Sequence, residues 1–195
     1  EVGGAGGAVV LVNRERFADG VSAAGLAAAQ GWPILLTTTS VVPQASVDAW
    51  RAVGVPRIVL MGGTGVIVER VAEWAVESGR CAGGPGCAVE RVAGTDRYGT
   101  SVAAAQRAVA AGSSIATMLL GTGTNYPDTL ASGPLAARLG GVALLVDGSG
   151  RRADGASRSF LAARAEEVDD VAILGGPAAV TSAADRAIQE ALGLG

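Results

Sequence analysis

The sequence contains no histidine and no lysine, so all 15 of its basic residues are arginine. Histidine is the side chain that proteins use most often as a general base and as a metal ligand. Its absence excludes a Ser-His-Asp triad within this chain, and two cysteines alone cannot close a structural zinc site. We therefore expect no metal site.

Aromatic residues are scarce as well, at only 4% of the 195 residues. The net charge is −3, which disfavours general nucleic-acid binding because that function needs a basic surface. No apolar run approaches the roughly 20 residues of a membrane-spanning helix, and no signal peptide is visible. Hydrophobic residues nevertheless make up 49% of the chain, so we expect a core built from Ala, Val, Leu and Ile.

Cysteine occurs only twice, and Cys81 and Cys87 are separated by five residues that include three glycines and one proline. Such a segment bends back easily, and a close pair of cysteines is typical of proteins from an oxidising compartment. We therefore predict a disulfide between them. The alternative is two free thiols in a turn.

What the sequence does contain is an internal repeat. Residues 9–37 match residues 118–146 at an offset of 109. A later segment matches at an offset of 113, so the second copy has four more residues in its middle, within 147–154. A repeat of this kind indicates one structural unit used twice. The other pairs are 59–63 with 172–176, Phe17 with Tyr126, and Asp19 with Asp128.

The second copy contains Gly-Thr-Gly-Thr at 121–124, which looks like a phosphate-binding loop between a strand and a helix. Such loops need glycine, because backbone N–H groups must approach the anion closely. The first copy has Val12 and Arg14 where the second has its glycines, and neither copy has the Gly-Lys-Ser/Thr of a P-loop. Both copies keep an Asp at the predicted helix start, so we interpret Asp19 and Asp128 as helix N-caps. A nucleotide site is the less favoured interpretation.

Apolar, strand-like runs alternate with amphipathic, helix-like stretches along the whole chain. The runs are short and end at Gly, Pro, Thr or Asp, as buried parallel strands do. This alternation predicts an α/β fold with mainly parallel sheets and helices on both faces. Strands are expected near 8–12, 34–37, 57–61, 89–93, 115–120, 142–146 and 171–174, and helices near 19–30, 44–53, 66–78, 98–111, 128–139, 154–165 and 182–192.

Residues 91–101 form the most specific motif, Arg-Val-Ala-Gly-Thr-Asp-Arg-Tyr-Gly-Thr-Ser. A strand ends there at a glycine turn, and Thr95 or Asp96 caps the helix that follows. Arg97 then lies in the first helical turn, where its charge opposes the positive end of the helix. It therefore needs a partner, which Asp96, Asp128 or an anionic ligand would supply.

This motif and the segments after it resemble the type 2 cell-wall-binding repeat of Gram-positive surface proteins. The resemblance extends over residues 91–192 in full and over 8–78 in part. It divides the chain into a truncated first repeat, residues 1–88, and a complete second repeat, residues 89–195. The further matching segments are 126–130, 134–136, 143–146 and 173–180, with Ser101 and Thr129 where the family pattern has alanine.

The resemblance implies a noncatalytic module that anchors a secreted protein to the cell wall. Such repeats are similar to Rossmann or toprim-like α/β modules and pack around a pseudo-threefold axis. The implied partners are an anionic secondary cell-wall polymer or peptidoglycan, and other copies of the repeat in a pseudo-trimer or homo-oligomer, with no cofactor. Two alternatives stay open: a nucleotide- or sugar-phosphate-binding α/β enzyme, and a self-assembling surface-layer module.

The candidate ligand residues are charged and aromatic side chains of the motif and the repeat. Arg97 suits a phosphate or carboxylate because its planar guanidinium donates parallel hydrogen bonds, whereas the alternative is an ion pair within the fold. The tyrosines suit stacking on sugars, and their alternative is core packing. The basic pair in the inserted segment is the best exposed positive spot. The full set is Asp96, Arg97, Tyr98, Tyr126, Asp128, Arg151 and Arg152.

Overall fold

The computed structural model describes residues 7–77 and 87–194. It has an α/β fold with two parallel sheets and helices packed on them, which confirms the predicted fold class. Among the described helices, none combines the length and the apolar character needed to cross a membrane.

Four strands form the first sheet, in the order β2-β1-β3-β4, and every neighbouring pair is parallel. The inner strand β1 has all six of its residues buried, because helices and neighbouring strands cover its continuous apolar run. The bounds are β1 (Ala8–Asn13), β2 (Ile34–Thr37), β3 (Arg57–Met61) and β4 (Ala88–Val92).

Three strands form the second sheet, in the order β6-β5-β7, and both pairs are parallel. By the repeat, β5, β6 and β7 correspond to β1, β2 and β3. The second sheet thus contains counterparts of β1, β2 and β3 and no described counterpart of β4. The bounds are β5 (Thr117–Thr122), β6 (Val142–Val146) and β7 (Asp170–Leu174).

The helices follow the strands in strict alternation, as the periodicity predicts. Their bounds are α1 (Phe17–Gln30), α2 (Gln44–Val53), α3 (Glu69–Glu77), α4 (Arg97–Ala110), α5 (Ser132–Leu139), α6 (Gly155–Arg164) and α7 (Ser182–Ala191). Two short 3-10 turns, Thr129–Ala131 and Ala165–Glu167, precede α5 and follow α6.

The helix of the second repeat starts later than its counterpart in the first, close to Pro134. In the first repeat α1 is continuous from Phe17, whereas in the second a 3-10 turn comes first and α5 begins only at Ser132. Pro134 therefore lies in the first turn of α5, where its missing N–H breaks no helical hydrogen bond.

The chain crosses from one sheet to the other between β4 and α4. β4 pairs with β3 in the first sheet, whereas α4 packs against α1 and against β6 of the second sheet. The predicted boundary between residues 88 and 89 falls inside β4. Whether that boundary separates two independently folding units stays a prediction.

α1 lies between the two cores. Its Ala23 and Ala27 pack in the core of the first sheet, next to Val10 and Val59. Its Leu26 packs in the core of the second sheet instead. The two repeats are therefore held together by shared burial as well as by the chain crossing.

Candidate functional site

A cleft of about 350 Å³ lies where the carboxyl ends of β1, β3 and β4 meet the first turns of α1 and α4. Open parallel sheets bind ligands at this edge. We call it the junction cleft, because the segment that crosses between the sheets forms one of its walls. Its lining is Glu15, Arg16, Phe17, Ala18, Asp19, Gly63, Gly65, Val66, Gly94, Thr95, Asp96, Arg97 and Thr100.

The motif residues fix the start of α4 at the wall of this cleft. The Asp96 carboxylate accepts a hydrogen bond of 2.7 Å from the Gly99 N–H, which confirms Asp96 as the N-cap. The Gly94 N–H donates to the Thr100 hydroxyl at 3.1 Å. A Cβ placed on Gly94 would lie only 2.2 Å from the carbonyl carbon of Gly99, so only glycine fits at that position.

Arg97 bridges the two repeats. Its Nη1 donates a hydrogen bond of 2.5 Å to the Gly123 carbonyl oxygen at the end of β5, and its guanidinium carbon lies 5.9 Å from the centroid of the Phe17 ring. In the described part of the chain, no carboxylate lies within ion-pair distance of Arg97. The interpretation as an ion pair with Asp96 or Asp128 is therefore wrong, and the Arg97 side chain lines the cleft while exposed to solvent.

Tyr126 extends the contact of Arg97 with Phe17. The rings of Phe17 and Tyr126 have centroids 5.5 Å apart and are tilted by 53°. Because Phe17 and Tyr126 are equivalent residues of the two repeats, this pair spans the repeat junction. The structure thus brings a guanidinium and two aromatic rings together at the mouth of the cleft.

Asp19 is buried in the cleft and is not a helix cap. α1 starts at Phe17 with Arg16 at the N-cap position, and no side chain caps it. The Asp19 carboxylate lies against the end of β3 instead, where a Cβ on Gly62 would be 2.8 Å from its Oδ2. Burial raises the pKa of Asp19 above its usual value, while the positive charges of Arg16 and Arg97 oppose that rise.

Asp128 repeats this arrangement in the second copy and makes no capping hydrogen bond either. A Cβ on Gly175 would lie 2.7 Å from its Oδ2, and Gly62 and Gly175 share positive φ angles of 99° and 105°. The N-cap interpretation is thus wrong for Asp19. Asp128 does occupy the N-cap position of the 3-10 turn Thr129–Ala131, but its side chain packs on a glycine at a strand end and does not cap the turn. Asp128 is exposed whereas Asp19 is buried. The 94–100 segment closes the cleft only over Asp19.

Tyr98 lies beneath the cleft rather than in it. Its ring is buried with Ala18, Val21 and Leu145, between α1 and β6. Burial raises the pKa of the Tyr98 hydroxyl, and the negative charge of nearby Asp147 raises it further.

The glycines of Gly-Thr-Gly-Thr make room for neighbouring side chains. A Cβ on Gly121 would lie 2.5 Å from Cγ2 of Thr129, and one on Gly123 would lie 2.8 Å from Cε1 of Tyr98. These close contacts account for glycine at both positions, so a bound anion is not needed to explain the Gly-Thr-Gly-Thr segment.

Arg151 and Arg152 are exposed in the loop after β6 and do not line the junction cleft. Arg152 has a positive φ of 60° and its guanidinium pairs with Glu190 of α7. Cys81 lies outside the described residues, so its disulfide with Cys87 stays a prediction.

Two arginines of the site were missed by sequence reasoning. Arg16 lines the cleft and directly precedes the aromatic-x-Asp pattern in the sequence. Its counterpart in the second repeat is Asn125, so a comparison of the two repeats does not single it out. Arg91 donates to the carbonyl oxygens of Gly62 and Ile67, both at 3.0 Å, and pairs with Glu69 at 2.9 Å. It thereby holds the β3–α3 loop that forms the opposite wall, and its place at the head of the motif was the available signal.

A larger groove of about 580 Å³ lies on the outer side of the first sheet, between α2 and α3. Trp74 and Arg70 line it, and none of the candidate ligand residues does. The junction cleft is the better candidate site, because it contains the motif, a buried carboxylate and two arginines.

The profile of the family described as cell wall binding domain 2 matches residues 2–72 and 91–185, which together are well over half of the chain. The chain belongs to this family. The resemblance seen in the 91–101 motif is therefore confirmed, and with it the prediction of a cell-wall-binding module. The cell wall binding domain 2 match includes the motif and the whole of the cleft lining. No curated protein matches the sequence.

Two solved structures of Clostridium difficile proteins are similar to this fold. Cwp6 superposes with a TM-score of 0.77 at 20% sequence identity, over 96% of this chain and 28% of that one. Cwp8 superposes with a TM-score of 0.76 at 21% identity, over 100% of this chain and 31% of that one. At such identities the likeness shows a shared fold, and this chain spans about a third or less of each of those proteins.

Proposed function

We propose that this chain is a noncatalytic anchor that binds an anionic polymer of the cell wall in the junction cleft. The observation that supports the proposal is the set of contacts that the Arg97 guanidinium makes. Its guanidinium is held by Gly123 and Phe17, and within residues 7–77 and 87–194 it uses one of its five N–H donors in a protein hydrogen bond. The other donors are available to a phosphate or carboxylate, and the held geometry reduces the entropy lost on binding.

The remaining charges of the cleft suit a glycan that carries anionic groups. Arg16 supplies a second exposed cation beside Arg97. Glu15 and Asp96 at the same cleft are hydrogen-bond acceptors, which suit the hydroxyl groups of sugars. The ring of Tyr126, half-exposed next to Phe17, offers a flat apolar surface for a sugar ring. This combination favours a secondary wall polymer over peptidoglycan, which is the other candidate ligand.

Secretion and repeat packing belong to the same proposal. An anchor for a wall polymer acts outside the cell, where the predicted Cys81–Cys87 disulfide is stable. Other copies of the repeat are the second class of partner. The apolar residues Tyr126, Leu130 and Leu139 stay exposed in the second repeat, between the end of β5 and the end of α5, and exposed apolar patches mark interaction sites.

The test is co-sedimentation of the purified chain with Gram-positive cell walls, either intact or stripped of secondary polymers. We expect binding to intact walls only, and weaker binding as salt increases. Binding to both preparations would identify peptidoglycan as the ligand, and binding to neither would contradict the proposal.

Arg97→Ala locates the binding site in the same assay. Loss of charge-assisted hydrogen bonds costs about 1.5–3 kcal/mol, so we expect wall affinity to fall about tenfold or more. Arg164→Ala is the matched control, because it removes an exposed arginine whose ion pair in the described part of the chain is with Glu167, in the turn after α6. Thermal melting of both variants separates loss of binding from loss of fold. If Arg97→Ala binds walls as tightly as Arg164→Ala, the junction cleft is not the site.

A further inference from the structure

Three aspartates are buried in the part of the chain that the structure describes, and their carboxylates differ in how they are satisfied. Asp147 accepts hydrogen bonds from the N–H and the hydroxyl of Ser149 at 3.0 and 2.6 Å. Asp154 accepts one of 2.8 Å from the Asp147 N–H and one of 3.1 Å from Nε of Arg158. Asp19 is only 6% exposed and accepts no hydrogen bond from any described residue. A buried carboxylate without a donor is costly, so Asp19 needs an explanation that the other two do not.

The surroundings of Asp19 leave its acceptor oxygens unused. Its carboxylate packs on Gly62, but the Gly62 N–H donates to the Val92 carbonyl oxygen at 2.9 Å. Arg16 and Arg97 act on it through their charges, and neither forms an ion pair with it among the described residues. Because Asp19 lines the junction cleft, a donor from outside the chain can reach its carboxylate there.

The unpaired charge of Asp19 lowers the stability of the folded chain. Burial raises the pKa of Asp19, which means that the folded protein holds the charged form less well than the unfolded chain does. Asparagine would avoid this cost in nearly the same shape. A charged group that costs stability and has no partner in the fold is typical of a ligand-binding position.

The charges around Asp19 decide which kind of donor suits it. An ammonium group on the carboxylate would face the guanidinium groups of Arg16 and Arg97, whose charges already act on Asp19. A hydroxyl group donates a hydrogen bond without this repulsion. The same two arginines attract an anion, and a phosphate has enough oxygens to accept from both. The cleft has about 350 Å³, near the lower end for small-molecule sites, so the anion and the hydroxyl belong to one small unit.

We propose that Asp19 is the residue by which the junction cleft distinguishes an anionic sugar from a bare polyanion. Its carboxylate accepts a hydrogen bond from a hydroxyl group of the ligand, while Arg97 and Arg16 hold the anionic group of the same unit. A polyanion without hydroxyl groups leaves Asp19 buried and unpaired in the complex, and therefore binds more weakly. The inference assigns a specificity residue to the proposed wall-polymer site and rests on that proposed function.

The test is a titration of the purified chain with glucose 1-phosphate and with methyl phosphate at equal ionic strength, followed by the amide NMR signals of residues 15–19 and 94–100. Both probes carry a phosphate monoester, and only the first has hydroxyl groups. We expect wild type to bind glucose 1-phosphate at least about fivefold more tightly, because only the sugar donates to the charged acceptor. Asp19→Asn should lose most of this preference. Its affinity for methyl phosphate should stay the same or increase, because the change removes a negative charge from the cleft.

Loss of fold would weaken the binding of both probes, so a loss confined to the sugar identifies a role in ligand recognition. Asp128→Asn is the matched control, since it makes the same change at the equivalent residue, which is exposed and outside the cleft lining. It should keep the wild-type preference. Equal binding of the two probes to wild type, an unchanged preference in Asp19→Asn, or the same loss in Asp128→Asn would overturn the inference.

Arg97→Ala separates this inference from the proposed function. We expect this variant to bind both probes about tenfold more weakly than wild type does. If it does so while wild type shows no preference, the cleft binds anions as proposed and the role of Asp19 is wrong. If wild type binds neither probe, the anion site itself is contradicted and the role of Asp19 fails with it.

Discussion

At the scale of single residues, the junction cleft depends on glycines that allow close approach of functional groups. Gly62 and Gly175 end equivalent strands with positive φ and leave space for an aspartate oxygen. Gly94 lets the crossing loop lie on the first turn of α4. A side chain at any of these positions would displace Asp19, Asp128 or the Asp96 cap. The geometry of the site therefore requires glycine at all three positions.

Asp19→Asn should make the stability of the protein less sensitive to pH. Burial raises the folded-state pKa of Asp19 above its usual value of 3.8. The folded chain then binds the proton more tightly than the unfolded chain, so the free energy of unfolding falls as pH rises from 3.8 through the folded pKa. Asparagine has nearly the same shape and carries no charge, so it removes this fall.

Urea unfolding of both proteins at a series of pH values measures the effect. The stability of Asp19→Asn relative to wild type should increase with pH over that window and then level off. A difference that stays constant with pH would mean that the Asp19 pKa is the same in the folded and unfolded states.

Sequence reasoning found the residues of the site more readily than their roles. It identified Asp19, Asp96 and Arg97, but interpreted Asp19 as a cap because Asp at a predicted helix start usually is one. The actual contact is with Gly62, which is more than 40 residues away in the sequence. A local propensity cannot show a contact between distant residues, whereas the Asp96 cap is local and was predicted correctly.

At the scale of elements, strands and helices were predictable because their apolar periodicity is strong. β2, β3 and β6 have the predicted bounds, and the other strands differ by one or two residues. Membership of a sheet was not predictable in this way. Periodicity shows that 88–92 is a strand, but the partner of that strand depends on where the chain folds back. The crossing of β4 and α4 between sheets therefore appears only in three dimensions.

The crossing of α1 and α5 gives a prediction about helix spacing. A Cβ on Gly133 would lie 2.5 Å from the Cβ of Ala24 and 2.6 Å from its carbonyl carbon, so Gly133→Ala forces the two helices apart. We expect a loss of about 1–3 kcal/mol in the free energy of unfolding, as in other overpacked cores.

Gly25→Ala on the opposite helix is the matched control. Its nearest neighbour would be the Cβ of Ala143 at 3.6 Å, an ordinary contact. Alanine is the better helix former, so this variant should be about 0.5–1 kcal/mol more stable than wild type. Urea denaturation of both variants tests the pair, and equal effects of the two changes would contradict the close approach at Gly133.

At the scale of the whole molecule, the net charge and the local charges of the cleft have different effects on polyanion binding. The chain carries a net charge of −3, so its long-range field does not attract a polyanion. The proposed binding of an anionic polymer therefore relies on local contacts of Arg16 and Arg97 in the cleft. The general composition disfavoured nucleic acids as partners but did not locate these two arginines, because both are close to the carboxylates of Glu15, Asp19 and Asp96 in the same lining.

The exposed apolar face of the second repeat predicts weak self-association. Tyr126, Leu130 and Leu139 are each more than half exposed in the segment from the end of β5 to the end of α5, and contacts between such surfaces bury them from water. We expect the weight-average mass from sedimentation velocity to rise with protein concentration, and Leu130→Glu to restore monomer behaviour without lowering the melting temperature. Leu194→Glu is the control, because Leu194 is 72% exposed but lies after α7 and outside this face. If both glutamate variants reduce association equally, the added charge is responsible, and the α5 face is not the contact.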